Sequence, residues 1–300
     1  MRRRDFIVRG TLGLGATWWN LSCQQPSTQT FSPSSSPNPP PPTVGEFSAA
    51  DIVTLGETGI ETSRLACGTG TVGYDHHSHQ SALGVQGLAD LLCQGYDDGL
   101  RFFDTADSYG THAHVAAALE RVPRESVTVM SKSWARTAEE MRADLDRFRL
   151  ELNTDYIDIL LMHCVAEADW PTQFQGAMDV LSEARQAGII HAHGVSCHSL
   201  AALQAAAQSG WAQVVLGRIN PIGAYMDADP DSVVQVLWAA RLAGKAVLGM
   251  KILGQGEMRD RVDEALHYAL SLGVLDAFTI GAESRTEQVD LLQRISAVTV

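Results

Sequence analysis

The chain has 300 residues, of which 45% are hydrophobic and 19% charged, a balance that excludes a disordered or fibrous protein. Its formal net charge of -13 argues against nucleic-acid partners, because phosphate binding needs clustered lysine and arginine. The five cysteines are an odd number without a C-x-x-C pair, so neither a disulfide framework nor a structural zinc site is predicted.

Residues 1–23 have the pattern of an export signal. Arginines are followed by a weakly apolar, glycine-rich stretch of roughly 14 residues, too short for a membrane-spanning helix. The order Arg3, Arg4, any residue, Phe6, Ile7 resembles the twin-arginine signal, which is read by export machinery that carries folded cargo. Cys23 resembles a lipoprotein cleavage cysteine. We therefore expect a periplasmic or cell-envelope protein, with a lipid anchor at Cys23 as an open alternative.

Residues 24–46 are predicted to form a disordered linker. The stretch "QQPSTQTFSPSSSPNPPPP" is almost entirely serine, threonine, glutamine and proline. Such a segment buries too little apolar surface to offset the entropy of ordering it, and its prolines favour an extended conformation. It is interpreted as a tether before a folded domain over residues 47–300.

The folded part alternates short apolar runs with longer amphipathic segments. Eight runs are predicted as strands: "SRLACGTGTV", "LRFFDTAD", "SVTVMSKS", "YIDILLMHC", "IIHAHGVSC", "AQVVLGRIN", "AVLGMKIL" and "DAFTIGAES". Helical patterns lie between them, and several end in glycine. This alternation predicts a single-domain α/β protein, the (β/α)8 or TIM barrel. An open doubly wound sheet is disfavoured, because no G-x-G-x-x-G follows the first strand.

In such a barrel the active site lies where the strands end, so the side chains at strand ends are the candidates for chemistry. Asp104 and Tyr109 follow the second predicted strand, while Lys132 and His163 lie on the third and fourth. An ammonium beside a phenol lowers the phenol pKa, and a carboxylate keeps a desolvated lysine charged. A histidine there can orient or polarise a substrate oxygen. Together these groups can protonate a carbonyl oxygen while a hydride adds to its carbon.

These strand ends resemble those of the aldo-keto reductases. The segments "FFDTADSYG", "VTVMSKS", "DYIDILLMH" and "GIIHAHGVSCHS" match that family in order and spacing, and the likeness runs from about Val53 to the C-terminus. The resemblance implies a reductase that uses NADPH or NADH to reduce a small aldehyde or ketone. It implies that Tyr109 is the general acid, that Lys132 and Asp104 tune it, and that His163 orients the carbonyl.

The same resemblance implies cofactor contacts at strand ends and at the start of the last helix. Gly68 and Thr69 would face the nicotinamide, Ser196 would bind its carboxamide, and Leu253 with Gly254 would lie along the pyrophosphate. The full set is Gly68, Thr69, Asp104, Ser196, Lys251, Leu253, Gly254, Ser284, Arg285 and Gln288. No metal is expected in this site.

Three departures from the family pattern concern the cofactor. Cys197 stands where the family commonly has asparagine, and Leu216 replaces a glutamine that often completes carboxamide binding. Glu283 and Val289 occupy positions where the family usually has cations for the 2'-phosphate. A carboxylate there predicts a weakened preference for NADPH, unless Arg285 supplies the positive charge that binds the 2'-phosphate. The chain also ends soon after the last predicted helix, which predicts an open substrate mouth.

Several polar and aromatic residues have alternative interpretations. Five histidines are predicted on loops after strands one and two and raise the possibility of zinc, although solvated loops are the simpler explanation: His76, His77, His79, His112 and His114. Asp107 is interpreted as a turn residue. Trp134 and Trp170 are either pocket walls or helix packing.

Two other functions remain as alternatives to a reductase. A cofactor-binding redox sensor or scaffold with slow turnover would suit an exported protein, because free nicotinamide cofactor is scarce outside the cytoplasm. A metal-dependent barrel hydrolase is the third hypothesis, and it rests on the histidine clusters.

Overall fold

The computed structural model describes residues 46–300, so the predicted signal peptide and nearly all of the predicted linker lie outside the described residues. Eight parallel strands close into a barrel in the order of the chain. The strands are β3 (Leu65–Gly68), β4 (Phe102–Asp104), β5 (Thr128–Ser133), β6 (Ile157–Val165), β7 (Ile190–Cys197), β8 (Val214–Arg218), β9 (Ala246–Met250) and β10 (Ala277–Ile280). The last strand pairs with the first, with Phe278 opposite Leu65. The predicted eight-stranded barrel is confirmed.

Helices follow the strands and cover the outside of the barrel. They are α1 (Gly84–Asp97), α2 (His112–Leu119), α3 (Ala138–Glu151), α4 (Trp170–Gln173), α5 (Gln175–Gln186), α6 (Leu200–Gln208), α7 (Pro230–Leu242), α8 (Val262–Ser271) and α9 (Arg285–Ala297). Capping side chains determine where several of these helices begin. Thr137 and Glu140 form a reciprocal capping box before α3, and Asp229 caps α7 ahead of Pro230.

An N-terminal hairpin precedes the barrel and was not predicted from the sequence. Its strands are β1 (Ile52–Thr54) and β2 (Glu61–Ser63), paired antiparallel. Leu55, in the turn, is fully buried in the apolar cluster that fills the barrel interior. Gly56 has φ 49°, and a Cβ there would lie 2.3 Å from the backbone nitrogen of Ala246, so only glycine fits this close approach.

Two apolar layers hold the fold together. One fills the barrel, with Phe102, Met130 and Leu161 among its buried side chains. The other packs the helices onto the outside of the strands. Between residues 46 and 300, no helix combines the length and apolarity needed to cross a membrane. Because the two apolar layers pack against both faces of the strands, the polar side chains at the strand ends are held on a rigid scaffold. A rigid scaffold is the requirement for a precise site.

Candidate active site

The four predicted catalytic residues converge at the C-terminal ends of neighbouring strands. Asp104 ends β4, Lys132 lies on β5 and His163 on β6, while Tyr109 closes the short turn Asp107–Tyr109. All four side chains are buried or nearly so. Parallel pairing of β4 with β5 and of β5 with β6 brings these positions to one rim. Their roles remain predictions, but their proximity is a property of the fold.

Lys132 and Asp104 form a buried ion pair. The Lys132 ammonium donates to one Asp104 carboxylate oxygen and to the backbone carbonyl of Thr105, at 2.9 Å for the latter. Thr279 of β10 donates to the other Asp104 oxygen at 2.8 Å. Burial lowers the pKa of Lys132, but the Asp104 carboxylate offsets burial and, with Tyr109, raises that pKa above its usual value. The lysine is therefore held charged in the core.

The Tyr109 ring lies beside this ammonium. The Lys132 nitrogen is 4.8 Å from the ring centroid. Burial raises the pKa of Tyr109, and the nearby Lys132 charge offsets only part of that rise. The Lys132 charge thus lowers the pKa of Tyr109, as the sequence predicted, but desolvation raises that pKa by more. The phenol keeps its proton at neutral pH, as a general acid must before it reacts.

His163 also lies beside Tyr109. The two ring centroids are 5.7 Å apart with the rings nearly perpendicular, and the Trp134 ring centroid is 5.4 Å away. Burial, reinforced by the Lys132 charge, lowers the pKa of His163 well below its ordinary value. Its Nδ1 lies 3.4 Å from the Ser108 hydroxyl, which leaves Nε2 for another partner. His163 is therefore a neutral imidazole that can donate one hydrogen bond.

A cleft of about 600 Å³ runs from Tyr109 across the ends of β9 and β10. Gly68, Lys251 and Leu253, three of the residues predicted as cofactor contacts, line this cleft, and their contact with a cofactor stays a prediction. Its far end is lined by three carboxylates and one exposed arginine: Glu283, Glu287, Asp290 and Arg259. The volume is within the range of small-molecule sites.

One buried hydroxyl tests whether the site fits a nicotinamide nucleotide. Ser196, at the end of β7, is fully buried, and its Oγ has no hydrogen-bond partner among residues 46–300. A buried hydroxyl without a partner costs free energy unless a ligand supplies one. The amide of a nicotinamide carries both a donor and an acceptor and would satisfy it. The hydrogen-bonding chemistry of Ser196 therefore fits that group, and Ser196 itself is not among the residues that line the cleft.

Other predicted cofactor residues have internal roles. Thr69 is fully buried and donates to the backbone carbonyl of Asp104 at 2.9 Å, and Gly254 is buried in a tight turn. Ser284 caps α9, accepting from the Glu287 backbone at 3.2 Å. These residues shape the backbone around the cleft.

Arg285 and Gln288 bind each other and the underlying helix α1. The Arg285 guanidinium makes a two-pronged ion pair with Asp98 and donates to the Gln288 side-chain oxygen at 2.8 Å. Gln288 is buried, and its amide nitrogen donates to the Leu91 carbonyl at 3.1 Å. Neither lines the cleft. Arg285 is therefore already neutralised by a carboxylate of the protein.

A match to a family model covers residues 64–273, and its description is Aldo/keto reductase family. The chain belongs to this family. An aldo-keto reductase of Mycobacterium marinum is 32% identical over 131 residues, 38% of this chain and 43% of that protein. Glycerol 2-dehydrogenase (NADP(+)) of Saccharomyces cerevisiae is 38% identical over 74 residues, 24% of each chain. The aldo/keto reductase chain thus spans less than half the length of these curated relatives.

Solved structures share the fold. A proposed aldo-keto reductase from Pseudomonas aeruginosa superposes with a TM-score of 0.69 at 21% identity, covering 84% of this chain and 98% of that chain. At that identity the likeness shows the barrel fold alone.

The histidine clusters of this aldo/keto reductase divide into two groups. His76, His77 and His79 lie on the exposed loop after β3. The loop position predicted for His112 and His114 is wrong, because both are buried on helix α2, where the His112 ring packs against Phe148 of α3.

One group of possible metal ligands is present among residues 46–300, formed by Asp107, His112 and Glu151. Arg147 donates to the Asp107 carboxylate at 2.7 Å and to Glu151 at 3.1 Å. Glu151 also bonds His112 Nδ1 at 2.7 Å. The guanidinium already supplies the positive charge that a metal would bring, so the group is a structural ion network. Asp107 thus belongs to this network as well as to the turn.

Sequence reasoning missed three features of the site. Thr279 anchors Asp104, and Gly70 and Gly73 pack directly against the Tyr109 ring. The glycine spacing in "CGTGTVG" was the available signal. Of the two tryptophans, Trp134 is 46% exposed beside His163 but does not line the cleft, whereas Trp170 is fully buried and packs in the core.

Proposed function

We propose that this chain is a nicotinamide-dependent reductase that converts an aldehyde or ketone to an alcohol, with Tyr109 as proton donor. The proposal is supported by Tyr109, which lines the cleft and keeps its proton, and by charged Lys132 and neutral His163, which both lie beside the Tyr109 ring. Membership of the aldo/keto reductase family supports the same reaction class.

The proposed roles follow from the charges of these side chains. His163 donates a hydrogen bond from Nε2 to the carbonyl oxygen and orients it, because its imidazole is neutral. Tyr109 gives its proton to that oxygen. Lys132, held in place by Asp104, stabilises the negative charge that develops on the phenol oxygen as the proton leaves. A bound reduced nicotinamide supplies the hydride that adds to the carbonyl carbon.

Replacing Tyr109 with phenylalanine tests this assignment. The variant removes one hydroxyl and keeps the ring between Gly70 and Gly73. We expect kcat to fall by about 100-fold or more, the usual contribution of a positioned general acid. Nucleotide binding, measured by fluorescence titration, should stay within twofold of wild type. Undiminished turnover of simple aldehydes would remove Tyr109 from the mechanism.

The charges at the far end of the cleft support a preference for NADH. Among the described residues that line this end, the carboxylates Glu283, Glu287 and Asp290 outnumber the exposed cation Arg259. Arg285 is engaged by Asp98. A 2'-phosphate there would meet repulsion from the carboxylates. This would distinguish the chain from the yeast relative whose name specifies NADP(+).

Titration of the wild-type protein with both reduced nucleotides tests that preference. NADH should have a lower Kd than NADPH. Glu283→Gln should reduce the ratio of the two Kd values by improving NADPH binding. Glu139→Gln, which removes an equivalent charge from the exposed start of α3, is the matched control and should leave the ratio unchanged. Tighter wild-type binding of NADPH by about tenfold, or 1.4 kcal/mol, would contradict the argument.

A cofactor-binding sensor with slow nucleotide exchange is the second candidate. It is favoured by two contacts that tie the loop after β3 to the segment before α9: His79 to Glu283 at 2.7 Å, and Gln80 to the Ala282 carbonyl at 3.4 Å. Both pairs border the cleft. A nucleotide that copurifies and exchanges over hours would support the sensor, whereas fast steady-state turnover would exclude it.

Export by a twin-arginine route is part of the proposed function and is supported by the sequence of residues 1–23. Replacing Arg3 and Arg4 with lysine should retain the protein in the cytoplasm on cell fractionation. Replacing Cys23 with serine should move it from the membrane fraction to the soluble periplasm if the cysteine is lipidated. Unchanged fractionation of both variants would exclude these assignments.

A further inference from the structure

His163, which orients the carbonyl in the proposed reaction, lies in a β-bulge of β6. The pairing of β6 with β7 runs regularly to Met162 and resumes at Val165 after a register shift. The pairing of β6 with β5 on its other side also ends at Met162. The backbone of His163 and Cys164 therefore lies outside the regular ladder on both sides. Bulges beside active sites commonly re-aim a side chain.

The bulge changes the face of the barrel on which the β6 side chains lie. Ile159 and Leu161 belong to the apolar cluster that fills the barrel, and in a regular strand His163 and Val165 would continue the same row. Val165 instead belongs to the outer cluster, against the helices. The inner row of β6 thus ends at His163, because the bulge turns the next residues away from the barrel interior.

The backbone of the bulge is strained. Cys164 has φ 51°, a left-handed conformation that is uncommon for a residue with a side chain. Such a conformation persists only where the surrounding structure holds it. The carbonyl of His163 belongs to the peptide group that joins it to Cys164, so a hydrogen bond to that oxygen fixes the bulge.

Arg136 supplies this hydrogen bond. Its Nη2 donates to the His163 carbonyl at 2.5 Å. Its Nη1 donates to the carbonyls of Trp134 and Ala135, at 3.2 Å each. The planar guanidinium, with its fork of donors, can bond all three carbonyls at once. One side chain therefore joins the segment after β5 to the bulge of β6.

The guanidinium of Arg136 is itself held by aromatic packing. Its central carbon lies 4.8 Å from the centroid of the Phe174 ring and 5.7 Å from that of the Trp134 ring. Within residues 46–300, the side-chain hydrogen bonds of Arg136 all go to backbone carbonyls. This arginine therefore fixes the main chain and does not neutralise an acid.

The imidazole of His163 depends on this main-chain support. Its Nδ1 lies 3.4 Å from the Ser108 hydroxyl, which is a long hydrogen bond. Its other close neighbours are the rings of Tyr109 and Trp134, which pack against it without a hydrogen bond. The position of the His163 backbone thus determines much of where its Nε2 points.

We propose that Arg136 is a positioning residue, which directs the His163 ring toward the substrate carbonyl by holding the His163 backbone carbonyl. This rests on the proposed reductase function and adds a residue that supports the catalytic group from outside the cleft. Arg136 is not among the residues that line the cleft, so it acts through His163 and not by contact with the nucleotide.

Substitution of Arg136 in the full chain tests the proposal. Arg136→Met removes the donors and keeps an apolar side chain to pack against Phe174. We expect kcat to fall by about 100-fold, the usual cost of misplacing a reacting group by about 1 Å. Arg136→Lys keeps one donor and should lose only about tenfold. Arg142→Met removes an exposed arginine from α3 and is the matched control, which should keep the wild-type kcat.

A double-mutant cycle separates positioning from general support of the fold. In a His163→Gln background no imidazole remains to be directed, so Arg136→Met should change kcat by less than about threefold. A similar 100-fold loss in both backgrounds overturns the proposal, because Arg136 then acts elsewhere. So does an Arg136→Met protein that melts at a lower temperature but keeps the wild-type kcat. If Arg136→Met does not fold, Arg136→Lys carries the same cycle, and its smaller loss should vanish when His163 is absent.

Histidine NMR separates failure of this proposal from failure of the proposed function. The full chain is labelled with 15N-histidine, and His163→Gln identifies the ring signals of His163 by their loss. These signals should shift or broaden in Arg136→Met and stay unchanged in Arg142→Met. If wild type reduces no aldehyde or ketone but this response is seen, the reductase assignment fails and the placement of His163 by Arg136 stands. Identical His163 signals in wild type and Arg136→Met overturn the positioning role, whatever the activity.

Discussion

Replacing Gly70 with alanine should remove most of the proposed reductase activity, although no catalytic residue is itself substituted. An added Cβ would lie 2.2 Å from Cε2, 2.4 Å from Cζ and 2.5 Å from Cδ2 of Tyr109. Ordinary contacts of this kind begin at 3.4 Å, so 3.4 − 2.2 = 1.2 Å of separation must be recovered. The φ angle of Gly70 is not positive, so alanine at this position adds no backbone strain of its own.

The ring has little freedom to yield. A Cβ on Gly73 would lie 2.3 Å from Cδ1 of Tyr109, so the two glycines contact opposite edges of one ring. A misplacement of about 1 Å in a reacting group costs on the order of 100-fold in rate. Overpacking of this kind also costs about 1–3 kcal/mol in the free energy of unfolding. We therefore expect kcat to fall by about 100-fold in a protein that remains folded.

The assay is the loss of NADH absorbance with a simple aldehyde, together with thermal unfolding and nucleotide titration on the same preparations. Gly210→Ala is the matched control, because a Cβ there meets nothing within 4 Å and its φ is not positive. It should leave kcat and the melting temperature at wild-type values. A Gly70→Ala enzyme with wild-type kcat would show that the loop moves instead of Tyr109, and would refute the reasoning.

Three further predictions concern stability. Asp104→Asn should lower the free energy of unfolding by about 3–5 kcal/mol, measured by chemical denaturation, because it leaves the Lys132 charge buried without its partner; a smaller loss than 1 kcal/mol would contradict this. Burial lowers the pKa of His193 to about 4, so the unfolded chain binds its proton more readily and stability falls by about 3 kcal/mol as pH drops from 6.5 to 4. His193→Phe should flatten that part of the pH profile, and an unaltered profile would exclude the histidine as its source. The hydrogen bond from His112 lowers the pKa of Glu151 below 4.5, so its contribution is present above that pH and is lost as pH falls through the lowered pKa. The difference in stability between wild type and Glu151→Gln should therefore shrink below pH 4.5, and a difference that grows there would contradict the sign.

The barrel itself could be predicted because its strands are locally encoded. Each strand is a short run of β-branched and apolar residues between amphipathic segments. Seven predicted runs contain the whole observed strand, and the eighth contains all of β6 except Val165. The helix α2, which starts at His112, was harder to predict, because it is short and two histidines interrupt its apolar pattern. The hairpin around Leu55 was missed for a similar reason, since its three-residue strands are too short to show a period.

The sequence by itself determined the strand order and which polar residues end each strand, so it predicted the grouping of Asp104, Tyr109, Lys132 and His163 on one rim. That grouping follows from parallel topology alone, since strand ends meet at the same edge whatever surrounds them. Only the tertiary structure decided which charges are already neutralised and which are free.

Arg285 shows the difference. Its partner Asp98 is 187 positions away in the chain, and no local pattern relates the two. Lys251 is the opposite case. That its ammonium has no partner among residues 46–300 becomes apparent only when the positions of all neighbouring carboxylates are known. The sequence thus determined the architecture and the catalytic candidates, whereas electrostatics and close packing, which depend on contacts between distant segments, were decided by the folded structure.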